Sequence, residues 1–216
     1  MTTTTALLAS AACGYLCGAL PFGYWAGKLK GIDIRQHGSG NIGATNVIRV
    51  LGKGIGIPVF LLDMLKGWLP VFLASGWMAA TGAEPQMVST AKVIAGFAAV
   101  LGHMFTFFLS FKGGKGIATM SGVLVGMSLA GFIGGWIAWL LFFFATKYVS
   151  LASLAAAVAV PTGMAVQMVR EGQWDFVMLG FGLVVMVLVF WRHRPNIQRL
   201  LAGTENRAGA KKKPDA

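Results

Sequence analysis

Residues 117–146 run without one charged side chain. As a helix rising about 1.5 Å per residue, the stretch would reach roughly 45 Å, against a hydrocarbon core of about 30 Å. A single tilted helix and a tight helical hairpin are both compatible with that length, with Gly131, Gly134 and Gly135 as the place to break. Five further apolar stretches, 6–28, 54–77, 88–110, 150–169 and 175–191, each approach the roughly 20 residues that a span needs. Only 12% of the chain is charged, where a soluble domain carries about 25%. A chain so poor in charge must turn much of its surface to lipid.

Charge decides between one helix and two in 117–146. The chain has 18 Lys and Arg against 7 Asp and Glu. In a soluble protein such an excess would suggest nucleic acid. Here the cations sit between apolar blocks, where the positive-inside rule explains them, and no nucleic-acid partner is expected. If 117–146 makes two short spans, Lys28 to Lys53, Lys112, Lys115, Lys147 and the basic residues from Arg192 onward all fall on one side. A single span would put the tail, from Arg192 to Lys213, on the other. The expectation is therefore an all-α polytopic membrane protein of seven transmembrane helices, N-terminus periplasmic and C-terminus cytoplasmic. Residues 1–205 form one domain, and 206–216, with Lys211, Lys212 and Lys213, read as a disordered basic tail attracted to anionic lipid. Cys13 and Cys17 have no partners at metal-ligand spacing and read as small packing residues. The opening Met1 to Thr5 lacks the positive start of a signal peptide.

Three segments on the inner side carry chemistry. In the first, Gly38, Gly40 and Gly43 allow amides to converge on an anion. Ser39, Thr45 and Asn46 add neutral donors, and Arg49 adds a charged fork. A helix starting at Thr45 would aim its positive end at the same spot. In the second, Lys112 and Lys115 flank Gly113-Gly114, an anion-nest composition. It is not a P-loop, because Leu109 stands where the first glycine belongs and Gly116 follows the lysine. The third runs from His193 to Glu205, with a short interfacial helix expected over Asn196–Leu201 and Pro195 near its start. Within the spans, Asp63 and Lys66 lie three apart and read as a structural ion pair. His103 reads as a packed, hydrogen-bonded histidine.

Taken together, Gly18–Tyr24, the Gly38–Lys53 block, Leu62–Gly67, Gly102-His103 with Phe111–Gly116, Lys147–Ser153 and His193–Glu205 resemble the acyl-phosphate:glycerol-3-phosphate acyltransferases of bacteria, the PlsY family, in the right order from about residue 14 to 205. Ala19 and Ile42 stand at positions where related sequences vary. The resemblance implies transfer of a fatty acyl group from acyl phosphate to the sn-1 hydroxyl of glycerol 3-phosphate. The products are lysophosphatidic acid and phosphate, in the first acylation of bacterial phospholipid synthesis. It implies a site facing the cytoplasm at the bacterial inner (plasma) membrane, built from the three inner segments. No metal and no cofactor are expected, and the chain is expected to act as a monomer.

The residues fit that chemistry. Two phosphate-bearing substrates require many donors and cations and few carboxylates. Ser39, Gly40, Asn41, Thr45 and the Gly113 and Gly114 amides are expected to hold the phosphoryl group of the acyl donor. Arg49, Lys115, Ser150, His193 and Asn196 are expected to hold glycerol 3-phosphate. Asn46, Lys53, Lys112 and Glu205 complete the substrate-binding set. Glu205 is expected to order the C-terminal segment. Ser39, Arg49, Lys115 and His193 are the catalytic candidates. No Ser-His-Asp or Cys-His set is evident, so direct attack by the substrate hydroxyl is expected. The base is either His193 or the substrate's own phosphate.

The rival class is a secondary transporter of a small organic phosphate, which basic inner loops and the Asp63/Lys66 pair would suit. Transporters of that kind show repeated halves around a midplane site. Here no repeat is evident, and the polar residues lie at one face. A structural protein would not need two anion-binding loops. As for the donor, thioester-dependent acyltransferases place an acid five residues after a histidine to orient it as base. Here Ile42, Phe108 and Gln198 stand five after His37, His103 and His193.

Overall fold

The computed structural model describes residues 1–209. Among them the regular elements are helical: α1 (Thr3–Ala19), α2 (Phe22–Leu29), α3 (Ala44–Leu51), α4 (Lys53–Ala79), α5 (Pro85–Met104), α6 (Ile117–Met127), α7 (Leu129–Thr146), α8 (Val149–Glu171), α9 (Phe176–Arg192) and α10 (Arg194–Leu201), with two single 3₁₀ turns at Ile34–Gln36 and Phe107–Leu109. Five helical segments are long and apolar enough to cross a bilayer: 3–29, 53–79, 85–109, 129–146 and 149–171. The bent pair α9 and α10 brings the number to six. The fold is thus an all-helical, multi-pass membrane fold. At 11 residues, or about 16 Å, α6 is too short to cross alone.

The charge-free stretch is indeed two helices, but the break falls at Ser128 rather than among Gly131, Gly134 and Gly135. Ser128 adopts an extended backbone and its Oγ accepts from the Gly131 amide at 3.1 Å, capping α7. The three glycines lie inside α7, where they let α8 approach. A Cβ on Gly135 would meet Val160 Cγ2 at 2.9 Å, and one on Gly131 would meet Met164 Cγ at 3.1 Å. Glycines in apolar helices commonly serve close packing instead of turns.

The same device joins the other spans. Cβ atoms on Gly14 and Gly18 would strike the Ala95 and Ala99 carbonyls of α5, so α1 and α5 run parallel in contact. Gly67 of α4 abuts the Thr119 carbonyl, and Gly122 of α6 abuts the Met64 carbonyl. The first span bends at Leu20-Pro21, which frees carbonyls that lipid cannot hydrate. Thr106 Oγ1 donates to Ala19 O and Lys66 Nζ to Leu20 O, both at 2.6 Å. Lys66 also pairs with Asp63 at 2.7 Å, both side chains buried, so this ion pair braces the bend. Buried His103 lies with Nδ1 3.2 Å from Thr119 Oγ1 and 3.9 Å from Asp63. Cys13 and Cys17 lie side by side on α1, sulfurs 3.9 Å apart.

Residues 206–209, expected as the start of the tail, are docked on the α7–α8 turn. The Ala208 amide donates to Lys147 O at 2.9 Å, and the Arg207 guanidinium lies 5.5 Å from the centre of the Tyr148 ring. The Lys211-Lys212-Lys213 cluster lies outside the described residues.

Candidate active site

A cavity of about 1350 Å³ opens where α3, the α5–α6 loop, the α7–α8 turn and the segment after α9 converge. Its wall changes character along its length. One end is lined by Ser39, Asn41, Thr45, Arg49, Lys53, Lys115, Ser150, His193, Asn196 and Glu205. The other is lined by Phe60, Leu124, Phe132, Trp136, Trp139, Val160 and Val185.

The first wall is shaped by Asn46. Its side chain is 1% exposed and fully engaged. Oδ1 accepts from the Ser39 amide at 2.8 Å and from Arg49 at 3.4 Å, while Nδ2 donates to His37 O at 3.0 Å and Ile34 O at 3.2 Å. Asn46 therefore fastens the glycine loop to α3 and has no group left for a substrate, contrary to the expectation that it binds one. Gly38 has φ +63° and a Cβ there would come within 2.3 Å of Asn46 Oδ1, so only glycine fits. Asn41 Oδ1 accepts from the Gly43 amide at 2.7 Å, immediately before α3. Thr45 and Arg49 are exposed on the cavity face of α3. Gly40, at φ +69°, turns the loop but is not on the wall.

The second wall departs further from the sequence reading. The Gly113 amide donates to Met104 O at 3.0 Å and the Gly114 amide to His103 O at 3.1 Å. These amides are already paired within the protein and do not form an anion nest. The glycines serve close approach instead: a Cβ on Gly113 would meet His103 O at 2.0 Å, and one on Gly114 would meet His103 Nε2 at 2.2 Å. Lys112 is exposed and off the cavity wall. What the loop presents to the cavity is the side chain of Lys115.

The third wall is a chain of hydrogen bonds. Lys115 Nζ donates to Asn196 Oδ1. Asn196 Nδ2 donates to Glu205 Oε1 at 2.7 Å, as does Ser150 Oγ at 2.9 Å, and Arg199 Nε donates to Oε2 at 2.7 Å. Burial would raise the Glu205 carboxyl, but these three donors outweigh it and hold it below its usual range. Burial pushes Lys115 down to about 8, assisted by Arg199, Arg192 and Arg49 and opposed by Glu205. His193, 2% exposed, accepts nothing at Nδ1: that nitrogen faces Val189 O at 2.8 Å, an acceptor, and so carries the proton. Nε2 is left with its lone pair. Burial and the nearby Lys115 hold His193 down at about 4, so it is neutral at pH 7.

Two contributions were not legible beforehand. One is the structural engagement of Asn46. The other is Arg192, counted in the sequence only as an inner-side charge. Its partners lie 78 and 79 positions away, and no local signal points to them.

A small-anion end continuous with an apolar slot suits a substrate with a phosphate head and a long acyl tail. The glycerol-3-phosphate acyltransferase family model matches residues 8–203. The glycerol-3-phosphate acyltransferase of Methylorubrum populi is 45% identical, covering 95% of each chain. That of Geobacter sulfurreducens is 42% identical, covering 91% of this chain and 94% of its own. Among solved structures, PlsY (YgiH), an integral membrane glycerol 3-phosphate acyltransferase, matches in its glycerol 3-phosphate form with a TM-score of 0.81 at 40% identity, covering 94% of this chain and 96% of that one. Its lysophosphatidic acid form matches with a TM-score of 0.79 at 39% identity, covering 94% and 95%. The apolar spans, the three converging segments and these matches agree, and the chain belongs to the glycerol-3-phosphate acyltransferase family.

Proposed function

We propose that the protein transfers a fatty acyl group from acyl phosphate to the sn-1 hydroxyl of glycerol 3-phosphate, releasing lysophosphatidic acid and inorganic phosphate. The observation that carries this reading is the single cavity that joins a cationic end to an aromatic and aliphatic one. Arg49 and Lys115 hold the phosphate of glycerol 3-phosphate, with Ser150 and Asn196 bounding that end. Ser39, Asn41, Thr45 and Lys53 face the phosphoryl group of the donor. The acyl chain lies between α6, α7, α8 and α9.

The glycerol hydroxyl attacks the acyl carbonyl carbon. The new C–O bond forms, a tetrahedral oxyanion develops, and the bond to phosphate breaks as phosphate departs with its electron pair. Phosphate is a good leaving group, so catalysis consists of positioning and of stabilising charge. His193 Nε2 can accept the attacking hydroxyl's proton in a hydrogen bond. A phosphate monoester dianion, with a second pKa of about 6, is the stronger base, because His193 is held down at about 4. We therefore assign proton removal to substrate phosphate and orientation of the hydroxyl to His193. His193→Ala then raises KM for glycerol 3-phosphate more than it lowers kcat, and the reverse pattern would make the imidazole the base.

In the membrane we place the chain with seven passes, the fourth made by α6 together with the loop that leads into it, since α6 alone is too short, and the fifth by α7. The N-terminus is periplasmic, the C-terminus and cavity mouth are cytoplasmic, and the working unit in the bacterial inner membrane is a monomer. Cysteine-accessibility labelling at Gly172 and near Asn206 tests the sidedness. The activity is tested by incubating purified protein with acyl phosphate and measuring phosphate release that depends on glycerol 3-phosphate. Equal release without the acceptor would make the protein a hydrolase.

A further inference from the structure

The 112–116 loop is held from two sides. On the inner side its Gly113 and Gly114 amides donate to the last carbonyls of α5. On the outer side Arg192, the last residue of α9, reaches its carbonyls. Nη2 donates to Gly113 O at 2.9 Å and to Gly114 O at 2.7 Å, and Nε donates to Gly114 O at 3.2 Å. The guanidinium lies 5.7 Å from the Phe105 ring centre and 5.6 Å from that of Trp191, and it is not part of the cavity wall. Four residues after Arg192, Asn196 receives Lys115. One short segment, 192–196, thus grips both the loop's backbone and the side chain that the loop delivers.

The amide–carbonyl pairing has a chemical consequence. With N–H groups turned to α5 and carbonyls turned to Arg192, the Gly-Gly unit has nothing to offer an anion. A fork of N–H donors on two successive carbonyls fixes the plane of the peptide preceding Lys115 in a way that a point charge would not. We propose that Arg192 is a positioning residue for the acyltransferase reaction: it touches neither substrate, and it sets the direction in which Lys115 enters the cavity. The assignment rests on the functional reading above, in which Lys115 holds substrate phosphate.

The test uses full-length protein purified in detergent, with Arg192→Lys, which keeps the charge but not the fork, and Arg192→Gln, which keeps neither. Each is made alone and with Lys115→Ala. In the native background both are expected to lower kcat/KM for glycerol 3-phosphate at least about tenfold, and by less than about threefold when Lys115 is already alanine. Independently of turnover, the pH dependence of Lys115 modification by an amine-reactive reagent is followed by peptide mass spectrometry. The native midpoint is expected near 8 and that of Arg192→Lys above it. Should Arg192→Gln fail to fold, Arg192→Lys decides alone. Native labelling in Arg192→Lys, or losses of equal size in both backgrounds, would overturn the proposal. Failure of the native protein to turn over acyl phosphate would instead overturn the functional reading, while the labelling comparison still reports on Lys115.

Discussion

Lys115, on the loop leading into α6, donates its ammonium to the side-chain oxygen of Asn196 on α10, 81 positions later. The contact joins two of the three inner segments directly. It also explains why Asn196 is buried: its amide passes the connection to Glu205, which Ser150 and Arg199 hold from other directions. In the proposed reading Lys115 meets phosphate, and the contact keeps it extended towards the cavity before substrate arrives, which lowers the ordering cost of binding.

Removing Glu205 should damage structure before chemistry. Glu205→Ala leaves the donors of Ser150, Asn196 and Arg199 without their acceptor, and for the buried Ser150 and Asn196 each group left unpaired costs about 1–3 kcal/mol. Thermal unfolding in detergent should show a clear fall in midpoint for Glu205→Ala and a smaller one for Glu205→Gln, which keeps the side chain's shape and one acceptor oxygen. An unchanged midpoint for Glu205→Ala would remove the network from the account.

The ionisation of Lys115 predicts a pH dependence. Its folded value of about 8 means that it is charged below that pH and loses charge above it. KM for glycerol 3-phosphate should therefore rise as pH passes upward through about 8. A bound phosphate dianion stabilises the ammonium, so kcat should hold to higher pH than kcat/KM. Lys115→Arg, permanently charged, should lose this alkaline rise in KM. For stability the sign is opposite: the folded state binds fewer protons than the unfolded one between about 8 and the ordinary lysine value of about 10.4, so stability increases with pH across that window. His193, depressed to about 4, works likewise lower down, and its contribution falls as pH drops from about 6.5 towards 4.

Much of the architecture could be read from apolar periodicity and charge. The all-helical, multi-pass character, the short helix beginning near Thr45 and the one after Pro195 are local features, set by composition and by proline, and the two short helices form at Ala44–Leu51 and Arg194–Leu201. What failed was the meaning of glycine. The same residue type marks a turn at Gly38, close helix packing at Gly135 and a saturated peptide pair at Gly113-Gly114. The difference lies in partners that are remote in sequence: Val160 for Gly135, and His103 and Arg192 for the pair. Asn46 was misjudged for a related reason. A polar residue beside a glycine loop looks available until its four hydrogen bonds are counted.

Helix packing offers a test that separates these roles. Gly122→Ala would place a Cβ 1.8 Å from Met64 O and Gly67→Ala one 2.1 Å from Thr119 O, so α4 and α6 must move apart. Both should reduce the yield of folded protein. Gly180→Ala on α9 meets nothing within 4 Å and should be silent. Size-exclusion profiles of the three variants make the comparison, and normal behaviour of Gly122→Ala would contradict the described contact between α4 and α6.

Asn46→Ala should be more damaging to activity than Thr45→Ala, although of the two only Thr45 is exposed at the cavity. Loss of four hydrogen bonds frees the Ser39 loop from α3. Turnover is expected to fall at least about a hundredfold, each tenfold corresponding to about 1.4 kcal/mol of transition-state stabilisation. Similar turnover in the two variants would mean that the loop holds its shape without Asn46.

In the proposed function this cavity accepts a small anionic head on an acyl chain. Among the described residues no extended soluble region exists to dock a carrier protein or an adenine nucleotide. The direct measurement is lysophosphatidic acid formed by purified protein from glycerol 3-phosphate with acyl phosphate, acyl-CoA or acyl carrier protein, each supplied separately at the same acyl concentration. Rapid formation with acyl phosphate, phosphate released in equal amount, and essentially none with either thioester is the predicted result. Comparable rates with a thioester donor would contradict it.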